Sequence, residues 1–273
     1  MPVPNVTLND GSTIPQLGFG TWQIPDAEVG AAVGTALEAG YRAIDTAAAY
    51  QNEVGTGRAI AESGIPRADV HVTTKLWNSD QGYDTTLRAF DASLDRLGMD
   101  YVDLYLIHWP TPKRALYVDT WRAFEKLRAD GRARSIGVSN FHQSHLEHLL
   151  AETDVVPAVN QIELHPNLPQ SDLRAFNATH DIATQAWSPL ASGGLLTNPA
   201  VAEIATRLER TPAQVILRWH LQLGAIVIPK SVTPDRIRSN FAVTDFTLSD
   251  DDITQLSTLE NGKRTGPNPD TFI

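Results

Sequence analysis

The sequence has no cysteine among its 273 residues. Disulfides, cysteine-ligated metal sites and thiol nucleophiles are therefore excluded together. Positive charge is also scarce, since 22 Lys and Arg stand against 32 Asp and Glu and give a net charge of −10. Nucleic acids and anionic membranes are bound by broad basic faces, so neither is an expected partner of this chain. A small basic pocket remains compatible with the overall charge.

Long hydrophobic stretches are missing as well. No apolar run approaches the roughly 18 residues that a membrane-spanning helix needs, and Met1–Pro4 has neither the basic nor the apolar part of a secretory signal. These absences, together with the lack of cysteine, favour a cytoplasmic protein. Apolar residues make up 42% and charged residues 20% of the chain, which is usual for a globular protein. The length fits one domain, predicted to span residues 1–273.

What the sequence does contain is an alternation of short Val-, Ile- and Leu-rich runs with longer amphipathic stretches. Most of these runs lack strict polar alternation, which is typical of parallel strands covered on both faces. The predicted strands are Gln16–Gly20, Tyr41–Thr46, Val70–Lys75, Asp103–His108, Arg134–Ser139, Ala158–Glu163, Ile182–Trp187 and Ala225–Lys230. The predicted helices are Asp26–Ala39, Glu53–Ser63, Thr85–Leu97, Val118–Asp130, His142–Leu150, Ser171–Thr179, Pro199–Glu209, Pro212–Gln222 and Thr233–Asn240. This pattern fits a (β/α)8 TIM barrel, an α/β fold, better than an open sheet.

Two further segments flank the predicted barrel. Thr7–Ser12 carries a hairpin signal, and we expect an N-terminal β-hairpin that caps the bottom of the barrel. Ser249–Asn261 predicts an extra C-terminal helix, and a short tail follows it.

Polar residues stand where three of the predicted strands end. Asp45 lies at the end of the second strand, Lys75 at the end of the third and His108 at the end of the fourth, while Tyr50 follows the second strand closely. Barrel enzymes place their catalytic groups at the C-terminal ends of the strands. We therefore expect these four side chains, here called the tetrad, to meet at one rim.

The tetrad has a natural chemical use. A free tyrosine is a poor proton donor near neutrality, and the ammonium of Lys75 is expected to lower the pKa of Tyr50. Asp45 would keep Lys75 charged and in place, and a neutral His108 would orient the oxygen of a carbonyl group. Tyr50 would then act as a general acid for that oxygen. Side chains cannot supply a hydride, so a nicotinamide cofactor is implied.

At this point the sequence resembles the aldo-keto reductases, most closely the bacterial branch that includes 2,5-diketo-D-gluconate reductases. The resemblance covers essentially the whole chain. It is carried by several ordered motifs, Gly40–Ala47 with Tyr50, Asn52 and Glu53, then Thr73–Trp77, Asp103–Pro110, Ser135–Phe141, Asn160–Pro166 and Ile228–Ser231. The family's catalytic residues map onto the tetrad without substitution. The resemblance implies a monomer that uses NADPH to reduce carbonyl compounds to alcohols.

The resemblance also implies cofactor contacts. Ser139, Asn140 and Gln161 would hold the nicotinamide carboxamide. Trp187 would stack on the nicotinamide, because a flat, electron-poor ring packs well on an aromatic face. The remaining implied contacts are Ser188, Leu190, Lys230, Ser231, Val232, Arg236 and Asn240. Lys230 and Arg236 lie near the start of a predicted helix, so this segment forms a small basic pocket suited to the 2′-phosphate of NADP.

The substrate pocket is predicted to be apolar. Trp22, Trp77 and Trp109 each follow a strand end, where the family carries aromatic residues, and Phe272 is expected to reach over the rim from the tail. A short tail favours small carbonyl compounds such as keto sugars, dicarbonyls or aldehydes.

Other interpretations are open for single residues. Asp45, Lys75 and Tyr50 could form a structural ion-pair cluster, and the tryptophans could be packing residues. His142, His145 and His148 have a helical spacing that suggests a metal, but no cysteine or carboxylate set accompanies them in the sequence, so a solvated face is favoured and no metal is predicted.

Other interpretations also exist for the function. Gly55-Thr56-Gly57 lacks the strand–turn–helix context of a dinucleotide fingerprint. A barrel that binds nucleotide without turnover is the main alternative to a reductase. A barrel hydrolase or isomerase ranks last, because the tetrad lacks a second carboxylate.

Overall fold

A computed structural model describes residues 2–273. All the predicted strands form, and a hairpin precedes them. The strands are β1 (Asn5–Thr7), β2 (Thr13–Pro15), β3 (Phe19–Gly20), β4 (Ala43–Asp45), β5 (His71–Leu76), β6 (Val102–Ile107), β7 (Ala133–Ser139), β8 (Val159–Glu163), β9 (Ala183–Trp187) and β10 (Ile226–Val227). The helices are α1 (Asp26–Ala39), α2 (Glu53–Glu62), α3 (Tyr83–Leu97), α4 (Tyr117–Ala129), α5 (Gln143–Glu152), α6 (Ser171–Thr179), α7 (Pro199–Arg207), α8 (Pro212–Gln222), α9 (Pro234–Phe241) and α10 (Asp250–Ser257).

Strands β3 to β10 pair in parallel and in chain order. The ring closes between its first and last strands, where Leu17 pairs with Val227 and the Gly18 amide donates to the Val227 carbonyl at 2.9 Å. The prediction of a (β/α)8 barrel is therefore confirmed. Strand β10 is shorter than predicted, because Pro229 has no N–H to contribute to the ladder.

The hairpin β1–β2 closes one end of the barrel, as predicted. Ile14 of β2 is fully buried and packs in one cluster with Leu104, Leu106, Val159 and Ile226 of the barrel strands. The hairpin thus covers the end at which Val159 and Ile226 begin their strands, and the carboxyl ends of the strands are left to carry the site.

The extra C-terminal helix α10 also forms, over a shorter span than predicted. Ser249 caps its N-terminus, where the Ser249 hydroxyl accepts from the Asp252 amide. Leu256 of α10 packs with Val201 of α7 and Trp219 of α8 in a second core. No helix within residues 2–273 is long and apolar enough to cross a membrane.

Helices α2 and α3 pack so closely at Gly57 that this position has no room for a side chain. A Cβ at this position would lie 2.0 Å from the Leu97 carbonyl oxygen, whereas a Cβ at Gly34 of α1 would meet nothing within 4 Å. We expect Gly57→Ala to lower the free energy of unfolding by about 3 kcal/mol, since the clash is with backbone that cannot yield. The control Gly34→Ala should be neutral or slightly stabilising. Urea denaturation measures both, and equal midpoints would contradict this account.

Candidate active site

The structure brings the tetrad together at the carboxyl end of the barrel. Asp45 is the last residue of β4, Lys75 lies near the end of β5, and His108 directly follows β6. Tyr50 ends a 3₁₀ turn, Ala48–Tyr50, that leaves β4. Asp45, Tyr50 and His108 line one cavity of about 1480 Å³, and Lys75 is buried directly behind it.

Lys75 is the centre of this arrangement. Its fully buried Nζ donates to Asp45 Oδ1 at 2.5 Å, to the Thr46 carbonyl at 2.9 Å and to Tyr50 Oη at 3.3 Å. The other carboxylate oxygen of Asp45 accepts from Gln161 Nε2 at 2.8 Å. The ammonium group thus has three hydrogen-bond acceptors, and one of them is the phenol oxygen of Tyr50.

The charges follow from burial and from these contacts. Burial lowers the pKa of Lys75, but the Asp45 carboxylate and Tyr50 outweigh it, so the pKa lies above its ordinary value. Burial raises the pKa of Tyr50; Lys75 lowers it, yet the net pKa is raised. The predicted lowering of the Tyr50 pKa by Lys75 is present, but burial and the Asp45 carboxylate together outweigh it, so the net direction is opposite to the prediction. A raised pKa keeps the phenol protonated at neutral pH.

His108 lies beside the phenol as a neutral ring. Its ring centroid is 5.7 Å from that of Tyr50 and 5.2 Å from that of Trp77. Burial, and then the positive charge of Lys75, hold the pKa of His108 well below its usual range. Its buried Nδ1 has no hydrogen-bond partner within residues 2–273. A neutral imidazole can offer one N–H to a ligand without adding a second positive charge.

The four residues expected at a nicotinamide form a connected network. Ser139 Oγ donates to the Gln161 carbonyl at 2.9 Å, and Asn140 Nδ2 donates to the His108 carbonyl at 2.9 Å. Trp187 Nε1 donates to Asn140 Oδ1 at 2.8 Å. Because Gln161 also contacts Asp45, the network is joined to the tetrad.

The residues expected at the far end of a nucleotide lie along the same cavity. Its lining includes Ser188, Leu190, Lys230, Ser231, Arg236 and Asn240. Val232 is 52% exposed and is not part of that lining. Lys230 and Arg236 form no ion pair with any carboxylate among residues 2–273, unlike Arg238 on the same helix. Two unpaired cations next to the start of α9 suit an anionic group.

The aromatic residues predicted for the substrate pocket also line the cavity. Trp109 is buried, Trp77 is partly buried and Trp22 is half exposed at the edge. Phe272 reaches them from the tail, with its ring centroid 4.5 Å from that of Trp109 and 6.3 Å from that of Trp77. The tetrad end of the cavity is therefore walled by aromatic rings.

The expectation of a solvated histidine face is wrong for two of the three histidines. His145 is buried and His142 is partly buried, and both face Asp270 of the tail. Only His148 is exposed, and its Nδ1 contacts Tyr117 Oη at 2.6 Å. The periodicity of a helix cannot show that a tail from the other end of the chain covers it.

Comparison with known proteins decides which family these features belong to. A model of the Aldo/keto reductase family matches residues 16–261. The chain belongs to the aldo/keto reductase family. It is therefore an oxidoreductase that acts on carbonyl groups.

Relatives of this aldo/keto reductase cover nearly its whole length. An aldo-keto reductase of Mycolicibacterium smegmatis is 63% identical over 269 residues, which cover 98% of each chain. A methylglyoxal reductase, DkgA, of Yersinia pestis is 51% identical over 271 residues, which cover 98% of this chain and 97% of that protein.

Solved structures also resemble this aldo/keto reductase over nearly its whole length. The crystal structure of an aldo/keto reductase from Brucella melitensis has a TM-score of 0.93 and 58% identity, and covers 95% of this chain and 99% of that one. A variant of Gox0644 crystallised in complex with NADPH has a TM-score of 0.96 and 44% identity, with 100% of both chains covered.

Sequence reasoning missed two features of this aldo/keto reductase. One is the bond from Gln161 to Asp45, which no motif spacing reveals. The other is the approach of the tail to Trp187, where a Cβ at Gly266 would lie 2.4 Å from the indole ring. A glycine in a tail is a weak signal, because most such glycines need no special explanation.

Proposed function

We propose that this reductase transfers a hydride from NADPH to a small aldehyde or ketone, and that Tyr50 donates the proton to the carbonyl oxygen. The observation that carries the proposal is the position of the Lys75 ammonium. It lies between the Asp45 carboxylate, which is buried with it, and the Tyr50 hydroxyl on the cavity wall. A structural ion pair would not need a phenol from a separate loop, next to a neutral imidazole, on the wall of a large cavity.

The cavity suits NADPH at both ends. At one end, Lys230 and Arg236 are free to pair with the 2′-phosphate, and Ser231 and Asn240 lie beside them. At the other end, Trp187 offers an aromatic face next to the amides of Asn140 and Gln161. The complex of the Gox0644 variant with NADPH supports the same choice of cofactor.

Each residue of the tetrad then has a role in the reduction. When bound, NADPH supplies the hydride. Tyr50 donates its proton to the oxygen that gains negative charge, and Lys75 stabilises the phenolate that remains. Asp45 holds the ammonium in place, and the neutral His108 donates a hydrogen bond to the same oxygen. The tetrad thus supplies the proton and the electrostatic stabilisation.

We propose small dicarbonyls such as methylglyoxal as the first substrates to test. The relative from Yersinia pestis is named a methylglyoxal reductase. Phe272 and Trp109 narrow the tetrad end of the cavity, which favours a compact substrate over a bulky one. Sugars with a keto group and simple aldehydes follow as the next classes.

The direct test is a substrate panel assayed by the absorbance of reduced nicotinamide. We expect NADPH to be consumed with methylglyoxal and with simple aldehydes. Quenching of NADPH fluorescence on binding, without consumption by any member of the panel, would support a nucleotide-binding barrel instead. Absence of NADPH binding would contradict the proposal altogether.

Arg236→Ala is expected to separate the two nicotinamide cofactors. Hydrogen bonds to charged groups contribute about 1.5–3 kcal/mol, so the Kd of NADPH should rise by about ten- to a hundredfold. The Kd of NADH should hardly change, because NADH has no 2′-phosphate. Arg238→Ala, on the same helix but outside the cavity lining, is the matched control. Fluorescence titration measures both constants, and equal losses for the two cofactors would contradict the assignment of Arg236.

A further inference from the structure

The C-terminal tail, residues 261–273, crosses the mouth of the barrel and is fastened at three places. The amides of Asn261 and Gly262 donate to the Asn167 carbonyl, each at 3.1 Å. Next, the amide and hydroxyl of Thr265 donate to Glu163 Oε1, at 2.5 and 2.7 Å. Glu163 is buried, whereas Thr265 itself is exposed. The third attachment lies closer to the end of the chain.

The third attachment is Asp270, which meets two histidines at the start of α5. Asp270 Oδ1 is 2.8 Å from His142 Nδ1 and 3.5 Å from His145 Nε2. The two imidazole rings are stacked, with centroids 5.8 Å apart and planes 11° apart. One carboxylate oxygen therefore faces a ring nitrogen of each histidine.

The other nitrogen of each ring decides where the protons are. The His142 backbone amide donates to His145 Nδ1 at 3.1 Å, so His145 carries its proton on Nε2. Arg264 Nη2 lies 3.1 Å from His142 Nε2, and an arginine can only donate, so His142 carries its proton on Nδ1. Both neutral rings therefore point an N–H at Asp270.

The same proton positions argue against a metal ion at this cluster. The three side chains lie within 4.8 Å of one another, which is close enough to share a divalent cation. A metal would take the nitrogens that face Asp270 and move each proton to the opposite nitrogen. Metal-bound histidines donate that second N–H to an acceptor, but here the neighbours are Arg264 and a backbone amide, which are both donors. The cluster is built as a hydrogen-bonded latch.

Hydrogen bonds within the tail connect the latch to the substrate pocket. Asn268 Oδ1 accepts from the Asp270 amide at 3.0 Å, and the Asn268 carbonyl accepts from the Phe272 amide at 3.0 Å. Asp270 and Phe272 thus belong to one hydrogen-bonded turn. Asp270 contacts the start of α5, and the Phe272 ring packs on Trp109. A contact that fixes the position of Asp270 therefore also fixes the position of Phe272.

We propose that Asp270, held by His142 and His145, is a positioning residue that fixes Phe272 over the tetrad end of the cavity and limits the size of the carbonyl substrate. This inference rests on the proposed reductase function. Asp270 does not touch the tetrad and acts through Phe272.

Asp270→Ala should therefore change substrate binding more than chemistry. Loss of one or two hydrogen bonds corresponds to about a three- to tenfold change, which we expect as a rise in KM for methylglyoxal with little change in kcat. The kcat/KM for a bulky aldehyde, such as naphthaldehyde, should rise. Asp270→Asn should behave like the unaltered protein, because its amide oxygen can still accept from His142 Nδ1. Asp100→Ala, at another exposed aspartate, is the matched control.

A double-variant cycle shows whether Asp270 acts through Phe272. Phe272→Ala should reproduce the selectivity change, and adding Asp270→Ala to it should change nothing further. Fully additive effects, or an Asp270→Ala protein with unchanged KM and selectivity, would overturn the latch. A zinc ion that binds the unaltered protein, and no longer binds after His142→Ala, would also overturn it in favour of a metal site.

A readout without turnover separates this inference from the proposed function. The chain has no cysteine, so Ile273→Cys creates a unique site for a nitroxide spin label at an exposed position. We expect the label to become more mobile when Asp270→Ala is added. Unchanged mobility overturns the latch even if NADPH is consumed normally, whereas increased mobility without NADPH consumption supports the latch and contradicts the proposed function.

Discussion

Tyr50→Phe is expected to lower kcat for carbonyl reduction by about 10²–10⁴-fold, which is the usual contribution of a positioned general acid. The substitution removes one oxygen, which is 3.3 Å from Lys75 Nζ, and leaves the aromatic ring. The Kd of NADPH should stay nearly constant, because Lys230, Arg236 and Trp187 are untouched. Steady-state kinetics and fluorescence titration on one preparation measure both quantities.

The control for this substitution is Tyr83→Phe, which removes a hydroxyl from an exposed tyrosine at the start of α3. It should have no effect on either quantity. A Tyr50→Phe protein with normal kcat would show that another group donates the proton. A large loss of NADPH affinity would show instead that the hydroxyl serves the cofactor.

Lys75→Met is expected to damage both stability and activity. It leaves the Asp45 carboxylate buried without its cation, and removing one partner of a buried ion pair costs about 3–5 kcal/mol of unfolding free energy. Reduction should be lost as well, since nothing then stabilises the phenolate of Tyr50. Urea denaturation with activity measured below the transition separates the two effects.

The double variant Asp45→Asn with Lys75→Met is the sharper comparison. Removing both charges leaves no unpaired buried ion, so stability should recover in large part while activity stays low. An asparagine at this position can still accept from Gln161 Nε2, which now bonds to Asp45 at 2.8 Å. If Lys75→Met alone unfolds at the same urea concentration as the unaltered protein, the ion pair contributes nothing to the fold.

The tetrad could be predicted from the sequence because a parallel barrel follows simple rules. Asp45, Lys75 and His108 stand at the ends of three neighbouring strands, and neighbouring parallel strands bring their carboxyl ends to one edge. Tyr50 follows Asp45 after only a short connection, so it had to lie close to the other three side chains. The hydrophobic pattern was therefore sufficient to bring these groups together.

The direction of the Tyr50 pKa could not be predicted in the same way. Its value depends on how completely the barrel excludes water, and that is a property of the packed structure rather than of neighbouring residues. Burial and the Asp45 carboxylate together raise the pKa of Tyr50 more than Lys75 lowers it. The phenol is protonated at neutral pH in either case, and the ammonium of Lys75 is the group that favours release of its proton, because it stabilises the phenolate.

The tail was the other feature beyond the reach of the sequence. Asp270 meets His142 across 128 positions of the chain, and the tail has no periodic pattern from which to predict its path. Its course depends on individual side chains, such as Glu163 holding Thr265 and Phe272 packing on Trp109. Irregular segments of this kind are positioned by tertiary contacts alone.

Isotope transfer tests the central claim most directly. NADPH that carries deuterium at its transferable position is incubated with methylglyoxal and the unaltered protein, and the alcohol product is examined by mass spectrometry. We predict one deuterium in the alcohol for each NADPH consumed, and almost no product with Tyr50→Phe. An alcohol without deuterium, or NADPH that stays bound and unconsumed, would contradict hydride transfer at this tetrad.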